Sequence, residues 1–327
     1  MPDSRDVMAY DQAFRSVRAL ITGGAGFIGS HLAHRLSELG ARVVVLDDLT
    51  GGYRNNLPAG CELHVASVLD DSKLREAMSG CAYVFHQAAL VSVPQSVAEP
   101  ERCAQINIVG TQRVLTAARD LGVKRVMFAA SAAAYGNSPQ LPSREDHVPD
   151  CWSPYAASKV AGEYLLQSAS RCWNLSTISL RYFNIFGPRQ DPKSAYAAVI
   201  SAFADALTSG RQPRINGDGL QTRDFVPVAN VVHANLLAAS SPKPLAGEVV
   251  NIGTGTRVTL LEVLDHMRRA LGVNSAHVHG EPRAGDVRHS CPDISRARDV
   301  LGYAPVMGFA EGIKLTLDWF KTTLKSA

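Results

Sequence analysis

Tyr155 and Lys159 stand one helical turn apart in Tyr155-Ala156-Ala157-Ser158-Lys159, and Ser131 closes the apolar run Arg125-Val126-Met127-Phe128-Ala129-Ala130, 24 residues before Tyr155. Side chains at i and i+4 share a helix face. A hydroxyl, a phenol and an ammonium that converge on one point can take a proton from a reacting hydroxyl and hold it. Tyrosine alone is a poor base, with a pKa of about 10. A nearby cation lowers that value by roughly 1–3 units, or about 1.4–4 kcal/mol. The phenolate then becomes available near neutral pH, where general bases work best. Each residue also has an ordinary reading, Tyr-x-x-x-Lys as a solvated helix face and Ser131 as a cap or strand-end hydroxyl. A second motif decides between the two.

That motif is Gly23-Gly24-Ala25-Gly26-Phe27-Ile28-Gly29-Ser30, which follows the apolar run 17–22 and opens an amphipathic segment with Phe27, Ile28, Leu32, Leu36 and Leu39 on one side. A strand that turns through three glycines into a helix suits a diphosphate. Gly23 allows the tight turn, Gly26 lets backbone approach the anion, and Gly29 lets helix lie against sheet. The helix N-terminus at Phe27 and Ile28 offers unpaired N–H groups. A second apolar run ends in Asp47, 18 positions beyond Gly29. A carboxylate there can accept both hydroxyls of an adenosine ribose and would repel a 2′-phosphate, so NAD is expected rather than NADP. An oxidised nicotinamide beside Tyr155 would add its positive charge to that of Lys159. The expected chemistry is proton and hydride removal at one hydroxyl-bearing carbon.

These groups need a sheet to hold them. Strand-like runs lie near 17–22, 41–47, 61–68, 82–89, 125–131 and 175–184, with helical patterns near 27–39, 71–79, 103–120 and 155–171. Nearly continuous apolar strands suit a parallel sheet buried on both faces. Repeated βα units imply a doubly wound α/β fold with right-handed crossovers. Ligands of such folds bind beyond the carboxyl ends of the strands, where Gly23, Asp47 and Ser131 all fall. After Gly187-Pro188 the rhythm changes, with a helix near 195–209, a strand near 247–253 and helices near 259–271 and 309–324. The expected division is a dinucleotide-binding Rossmann domain over 1–188, with returning segments near 224–253, and a smaller interleaved substrate-binding region over 189–327.

A net charge of +3 without a basic run leaves no footprint for nucleic acid. No apolar stretch reaches the roughly 18–20 residues of a membrane span. The N-terminus is charged and polar through Arg18, without the apolar core of a secretory signal. Six cysteines are scattered without close pairs. Neither a metal site nor a disulfide framework is expected, and a reducing cytoplasm is.

In order and content these motifs resemble the extended short-chain dehydrogenases/reductases, and among them the nucleotide-sugar epimerase and dehydratase branch. The resemblance spans nearly the whole chain. It runs from 22–29 through His86-Gln87-Ala88-Ala89, Asn107-Ile108-Val109-Gly110-Thr111 and the Ser131, Tyr155 and Lys159 set, then through 181–190, Arg223-Asp224-Phe225 and 283–289. It implies a resident NAD held by Gly23, Gly26, Phe27, Ile28, Gly29, Asp47, Val68, Gln87, Ala88, Ala89, Asn107 and Phe183, together with Tyr155 and Lys159. Tyr155 would remove the sugar O4 proton while C4 gives hydride to the nicotinamide. Ser131 would hydrogen-bond O4 and shuttle the proton, and Lys159 would hold the nicotinamide ribose and bias Tyr155 towards its anion. The flat 4-keto sugar could then turn over and take hydride on its other face. Dehydratases and decarboxylases of the branch carry Asp or Glu just after the catalytic Ser/Thr. Here Ala132 and Ala133 follow Ser131 and cannot transfer a proton, which leaves epimerisation.

The resemblance also implies a UDP-sugar substrate. Arg223 and Arg283 match positions that clamp its diphosphate, where guanidinium forks suit phosphate oxygens. Asp286 matches the carboxylate that accepts the ribose hydroxyls, Asn184 a substrate-contacting amide, and Val199 and Asn216 lie in segments that surround uracil. Ser290, four positions beyond Asp286, matches the residue that limits room beside the sugar C2 substituent, and a small side chain there admits an N-acetyl group. Ser92, within Ser92-Val93-Pro94-Gln95-Ser96, and the segment 194–200 also resemble epimerases that accept N-acetylhexosamines. Against that, Ala132 and Ala133 replace hydroxyl residues common in N-acetyl-preferring members. The expected substrates are UDP-N-acetylglucosamine and its galacto epimer, with UDP-glucose and UDP-galactose as a second pair. The alternatives are a UDP-glucuronate 4-epimerase, for which no dedicated carboxylate clamp is visible, and a catalytically silent NAD-binding protein, which ordinarily loses the Tyr or Lys retained here. A homodimer through helices near 103–120 and 155–171 is implied as well. Two departures stand out, Ser67 where the family often has an Asp facing the adenine, and Asn230 for a frequent Asp after the Arg223 motif.

Overall fold

Seven parallel strands run through the centre of the protein in a computed structural model that describes residues 12–191, 199–282 and 287–325. They are β1 (Arg18–Thr22), β2 (Arg42–Asp47), β3 (Glu62–Val65), β4 (Tyr83–His86), β5 (Arg125–Ser131), β6 (Ser176–Tyr182) and β7 (Ala246–Ile252), in the spatial order β7-β6-β5-β4-β1-β2-β3. The order reverses beside β1. Such a switch point opens a crevice at the carboxyl ends of the strands. Register brings Thr22 beside His86 and Ser131 beside Tyr182, so several strand ends finish at one level.

The inner strands are apolar along most of their length because each face is covered. Ile21, Val45, Phe85 and Met127 join one core with helices α1 (Phe27–Glu38) and α5 (Val228–Ser240), while Leu20, Val44, Val84 and Val126 join another with α2 (Asp71–Met78), α3 (Gly110–Asp120) and α4 (Pro154–Trp173). Adjacent strand residues thus point to opposite faces, as the pleat requires. Helix α3 continues a helical stretch that starts at Pro100 and passes through a π-helical turn at Gln105–Val109.

Helix α5 was not expected from the sequence. It is buried on nearly all sides and shows no polar stripe to set its period. Its C-terminal carbonyls are met by buried Arg125, whose Nη1 donates to Ala238 O (2.7 Å), Ala239 O (3.2 Å) and Ser241 O (3.0 Å). That contact explains an arginine at the head of an apolar strand, since helix ends otherwise leave carbonyls unsatisfied.

A third core lies beyond the sheet, where Phe203, Leu207, Val263, Leu264, Ile313 and Leu317 bring together helices over Val199–Thr208, Leu260–Leu271 and Phe309–Lys325. The helix expected from 195 is described from Val199 onward, and residues 194–198 of the segment noted above lie outside the described residues. The strands expected over 61–68 and 82–89 end earlier, at Val65 and His86, and their remainders form loops beside the crevice. Short helices at Val93–Ala98 and Ser295–Leu301 were also unforeseen. Among the described residues, no helix is long and apolar enough to cross a membrane, and no group of His, Cys, Asp and Glu could hold a metal ion. All six cysteines are free.

Candidate active site

Ser153 and Pro154 start α4. The Ser153 hydroxyl accepts from Ala156 N (3.1 Å) and Pro154 occupies the first turn, the arrangement that fixes a helix N-terminus. Tyr155 therefore opens the helix, its backbone N–H donating to the buried Ser96 hydroxyl (3.1 Å). Lys159 lies one turn further in, buried. Its Nζ donates to Ala129 O (2.8 Å), 4.9 Å from the Phe128 ring centroid and 5.8 Å from that of Tyr155. Ser131 ends the strand between them and hydrogen-bonds Tyr155. The three residues read from the sequence are thus brought to one place.

Burial acts on both ionisable members. It lowers the Lys159 ammonium to about 8 and raises the Tyr155 phenol, a rise that the Ser131 bond opposes. Desolvation disfavours the charged form of each. A further positive charge delivered beside Tyr155 is what would release its proton.

The glycine turn meets the same crevice. Gly23 has φ +68°, and a Cβ there would lie 2.7 Å from Ala88 N; one on Gly29 would lie 2.2 Å from Gly23 O. Neither position admits a side chain. Helix α1 begins at Phe27 after Gly26, with no side-chain cap and no acidic residue in its first turn, so its leading N–H groups remain suited to an anion. Asp47 is 7% exposed and braces this turn: Oδ2 accepts from Ala25 N (2.9 Å) and Oδ1 from Leu49 N (2.8 Å). Each carboxylate oxygen keeps a second lone pair. Burial raises the Asp47 pKa, and these two bonds work against the rise.

Beneath the turn runs a buried chain whose direction is fixed by its ends. Ala88 N donates to Thr22 Oγ1 (3.3 Å), which lies 2.7 Å from His86 Nδ1; His86 Nε2 lies 3.0 Å from Thr111 Oγ1, which donates to Asn107 O (2.6 Å). Thr111 has spent its proton, so His86 must donate from Nε2 and accept at Nδ1. Burial holds His86 neutral and pushes its pKa down to about 3, with the Lys159 charge adding to the effect. In the sequence, His86 and Thr111 stand only as members of their motifs, with no pattern linking them.

The remaining expected cofactor residues have varied surroundings. Asn107, in the π-helical turn, accepts from Leu90 N (2.8 Å) and donates to Leu90 O (3.1 Å) and Ser158 Oγ (2.9 Å), so its amide is occupied by protein groups. Val68 is buried against Gly110, and Phe183 is buried with its ring 6.0 Å from that of Tyr135. Gln87 Nε2 donates to Tyr182 Oη (3.3 Å), and Ala89 lies in the loop after β4. Ser92 caps the helix Val93–Ala98 through Gln95 N (3.1 Å). A cleft of about 640 Å³, lined by Asp48, Ser67, Leu69, Arg102 and Gln105, opens at the Asp47 and Val68 end of the crevice and does not reach the Ser131, Tyr155 and Lys159 cluster.

On the other side, Asn184 lies on a short strand, Asn184–Phe186, paired with Phe225–Pro227. Ser290 N donates to Thr222 O (3.1 Å) and Asp224 N to Ser290 O (3.1 Å), which sets Ser290 beside Arg223. Arg223 Nη1 donates to Thr222 O (2.9 Å). Asn216 sits where Arg214–Asn216 pairs with Val278–Gly280, and Val199 opens its helix at the edge of the third core. Arg283 and Asp286 lie outside the described residues, although Arg288 just after them accepts from Thr222 N (3.0 Å) through its carbonyl. Arg288 also forms a bidentate pair with Asp218 (2.8 Å each) that brings the Asp218 carboxyl down to about 2, across 70 residues of chain.

Such an arrangement can seat a dinucleotide on the glycine turn and bring a phenol, a hydroxyl and an ammonium to bear on a second ligand. Comparison with known proteins agrees with that chemistry. Residues 19–253 match the NAD dependent epimerase/dehydratase family. UDP-glucose 4-epimerase of Mycolicibacterium smegmatis is 40% identical over 312 residues, covering 93% of this chain and 99% of that protein. A solved structure of UDP-N-acetylglucosamine 4-epimerase from Methanobrevibacter ruminantium, in complex with UDP-N-acetylmuramic acid, is similar with a TM-score of 0.90 at 36% identity, covering 95% of this chain and 100% of that one. UDP-glucose 4-epimerase of Thermus thermophilus, in complex with NAD, gives a TM-score of 0.84 at 36% identity over 93% of this chain and 99% of that one.

Proposed function

Because this chain belongs to the NAD dependent epimerase/dehydratase family, we propose that it inverts C4 of UDP-N-acetylglucosamine and UDP-N-acetylgalactosamine, with UDP-glucose and UDP-galactose as a second substrate pair. Its activity class is that of an NAD-dependent UDP-sugar 4-epimerase, an isomerase. The observation that carries the reaction type is the pair Ala132 and Ala133, which starts a short turn directly after Ser131 in place of a carboxylate. Support for the N-acetyl sugars comes from the small side chain of Ser290.

NAD fits the residues present: the glycine turn has no room for side chains, α1 starts uncapped, and Asp47 is a buried carboxylate with lone pairs to spare. Bound there, NAD would supply a reversible hydride acceptor for C4. In this reading Tyr155 takes the O4 proton and later gives it back. Ser131 hydrogen-bonds O4 and carries the proton between sugar and phenol. Lys159 supplies the fixed positive charge that favours tyrosinate. Arg223 and Arg283 hold the diphosphate, Asp286 the ribose, Asn184 the sugar-phosphate region, and Val199 and Asn216 flank the uracil. Residues 1–188 with 224–253 carry the cofactor and 189–327 mainly the sugar nucleotide. The reading includes a homodimer through α3 and α4.

Incubation with UDP-N-acetylglucosamine, followed by NMR of the anomeric region, is expected to show the 4-epimer. UDP-glucose and UDP-glucuronate in the same assay rank the substrates. Absence of product from both the N-acetylated and the plain pair would defeat the proposal.

A further inference from the structure

Asp224 is fully buried between Arg223 and Phe225 and takes no part in the chemistry above. Its carboxylate accepts three close hydrogen bonds, from Thr254 N (2.9 Å), Thr254 Oγ1 (2.7 Å) and Gly255 N (2.7 Å). These donors follow directly on β7, the edge strand of the central sheet. Charge-assisted bonds of this kind are strong and directional. A buried carboxylate without them would be costly. The side chain of Asp224 is therefore fixed to the sheet.

Its backbone reaches the other way. Asp224 N donates to Ser290 O (3.1 Å), and Asp224 O accepts from Asn184 N (3.2 Å) and Asn184 Nδ2 (3.4 Å). Arg223 is its chain neighbour. Three residues assigned above to the substrate thus depend on the placement of one residue, and the amide of Asn184 has its orientation set by that carbonyl. From this juxtaposition we infer that Asp224 is a positioning residue, which holds Arg223, Asn184 and Ser290 in register with the sheet that carries Ser131 without itself touching substrate. The inference rests on the UDP-sugar reading for the identity of those contacts.

Asparagine in its place keeps the volume but turns an N–H₂ group towards backbone and hydroxyl donors, so part of the anchor is lost. Weakening a hydrogen bond to a charged group corresponds to about a tenfold change or more. In the purified holoenzyme, Asp224→Asn is expected to weaken UDP binding, read by calorimetry, by about tenfold. KM for UDP-N-acetylglucosamine should rise alongside, with kcat and bound NAD within about twofold of the parent. A general loss of stability would instead lower the active fraction and bound NAD together, leaving KM unchanged, and would overturn the assignment. Should Asp224→Asn fail to fold, Thr254→Val decides: it removes one donor, and a KM raised several-fold and restored by Thr254→Ser supports the role. Unchanged UDP affinity and KM in either variant overturns it. If the parent binds UDP but epimerises no sugar, the substrate reading falls, while the UDP comparison still tests Asp224.

Discussion

Lys159 donates to a neutral carbonyl, Ala129 O, and its burial outweighs the opposing pull of the Glu163 charge, so its pKa falls to about 8. In the proposed mechanism, the positive charge favouring tyrosinate is therefore lost as pH rises through about 8. Turnover is expected to decline above that pH, and Lys159→Arg, whose guanidinium stays charged, should turn over more slowly yet lose the alkaline decline. A rate profile from pH 6 to 10 checks both. Removing the phenolic oxygen in Tyr155→Phe should cost about 10²–10⁴-fold in kcat with bound NAD retained, measured by single-turnover kinetics and cofactor release. Tyr155, Lys159 and Ser131 were legible because their spacing is local or tied to a strand end. Asp224 and His86 were not. Asp224 meets Thr254 and Asn184 at separations of 30 and 40 residues, and His86 meets Thr22 at 64, distances over which sequence pattern carries no signal.

The chain of bonds through His86 joins the end of β1 to the loop after β4 and to α3, so it belongs to elements rather than to one residue. The folded protein holds this histidine neutral to about pH 3, whereas an unfolded chain protonates it near 6.5. Its stabilising share is present above about 6.5 and lost as pH falls towards 3, about 5 kcal/mol in all. Asp224 works in the opposite sense. Burial raises its carboxyl to about 6, so the folded state takes up a proton first and gains stability as pH falls from about 6 towards 4. Urea unfolding at pH 7 and pH 4.5 should show His86→Gln losing less stability on acidification than the parent, and Asp224→Asn losing more. Among the elements, the apolar strands and α1 were legible from their patterns, but α5 has apolar residues all round and its cap, Arg125, comes from a distant strand.

Across the whole molecule, the proposed sugar choice would depend on the C-terminal half being set against the sheet. Ser290 is far along the chain from Ser131 and Tyr155, yet its backbone is paired with Thr222 and Asp224. Ser290→Tyr should suppress epimerisation of the N-acetylated pair relative to the plain pair by about tenfold, since filling a pocket gives about 1–3 kcal/mol of discrimination. Competition between UDP-N-acetylglucosamine and UDP-glucose, followed by NMR, measures it. The first half of the fold was legible because βα units repeat. The second half rests on three-residue pairings, Asn184–Phe186 with Phe225–Pro227 and Arg214–Asn216 with Val278–Gly280, which are too short to show a period.

Strand β7 and helix α5 return to the central sheet only after the chain has already contributed part of the third core. Cutting the polypeptide near Gly187 would strip the sheet of its edge strand, bare the flank of β6, and leave the truncated partner without a scaffold. The halves therefore cannot be transplanted by cut and paste between relatives. A new sugar preference has to be grafted loop by loop onto an intact chain.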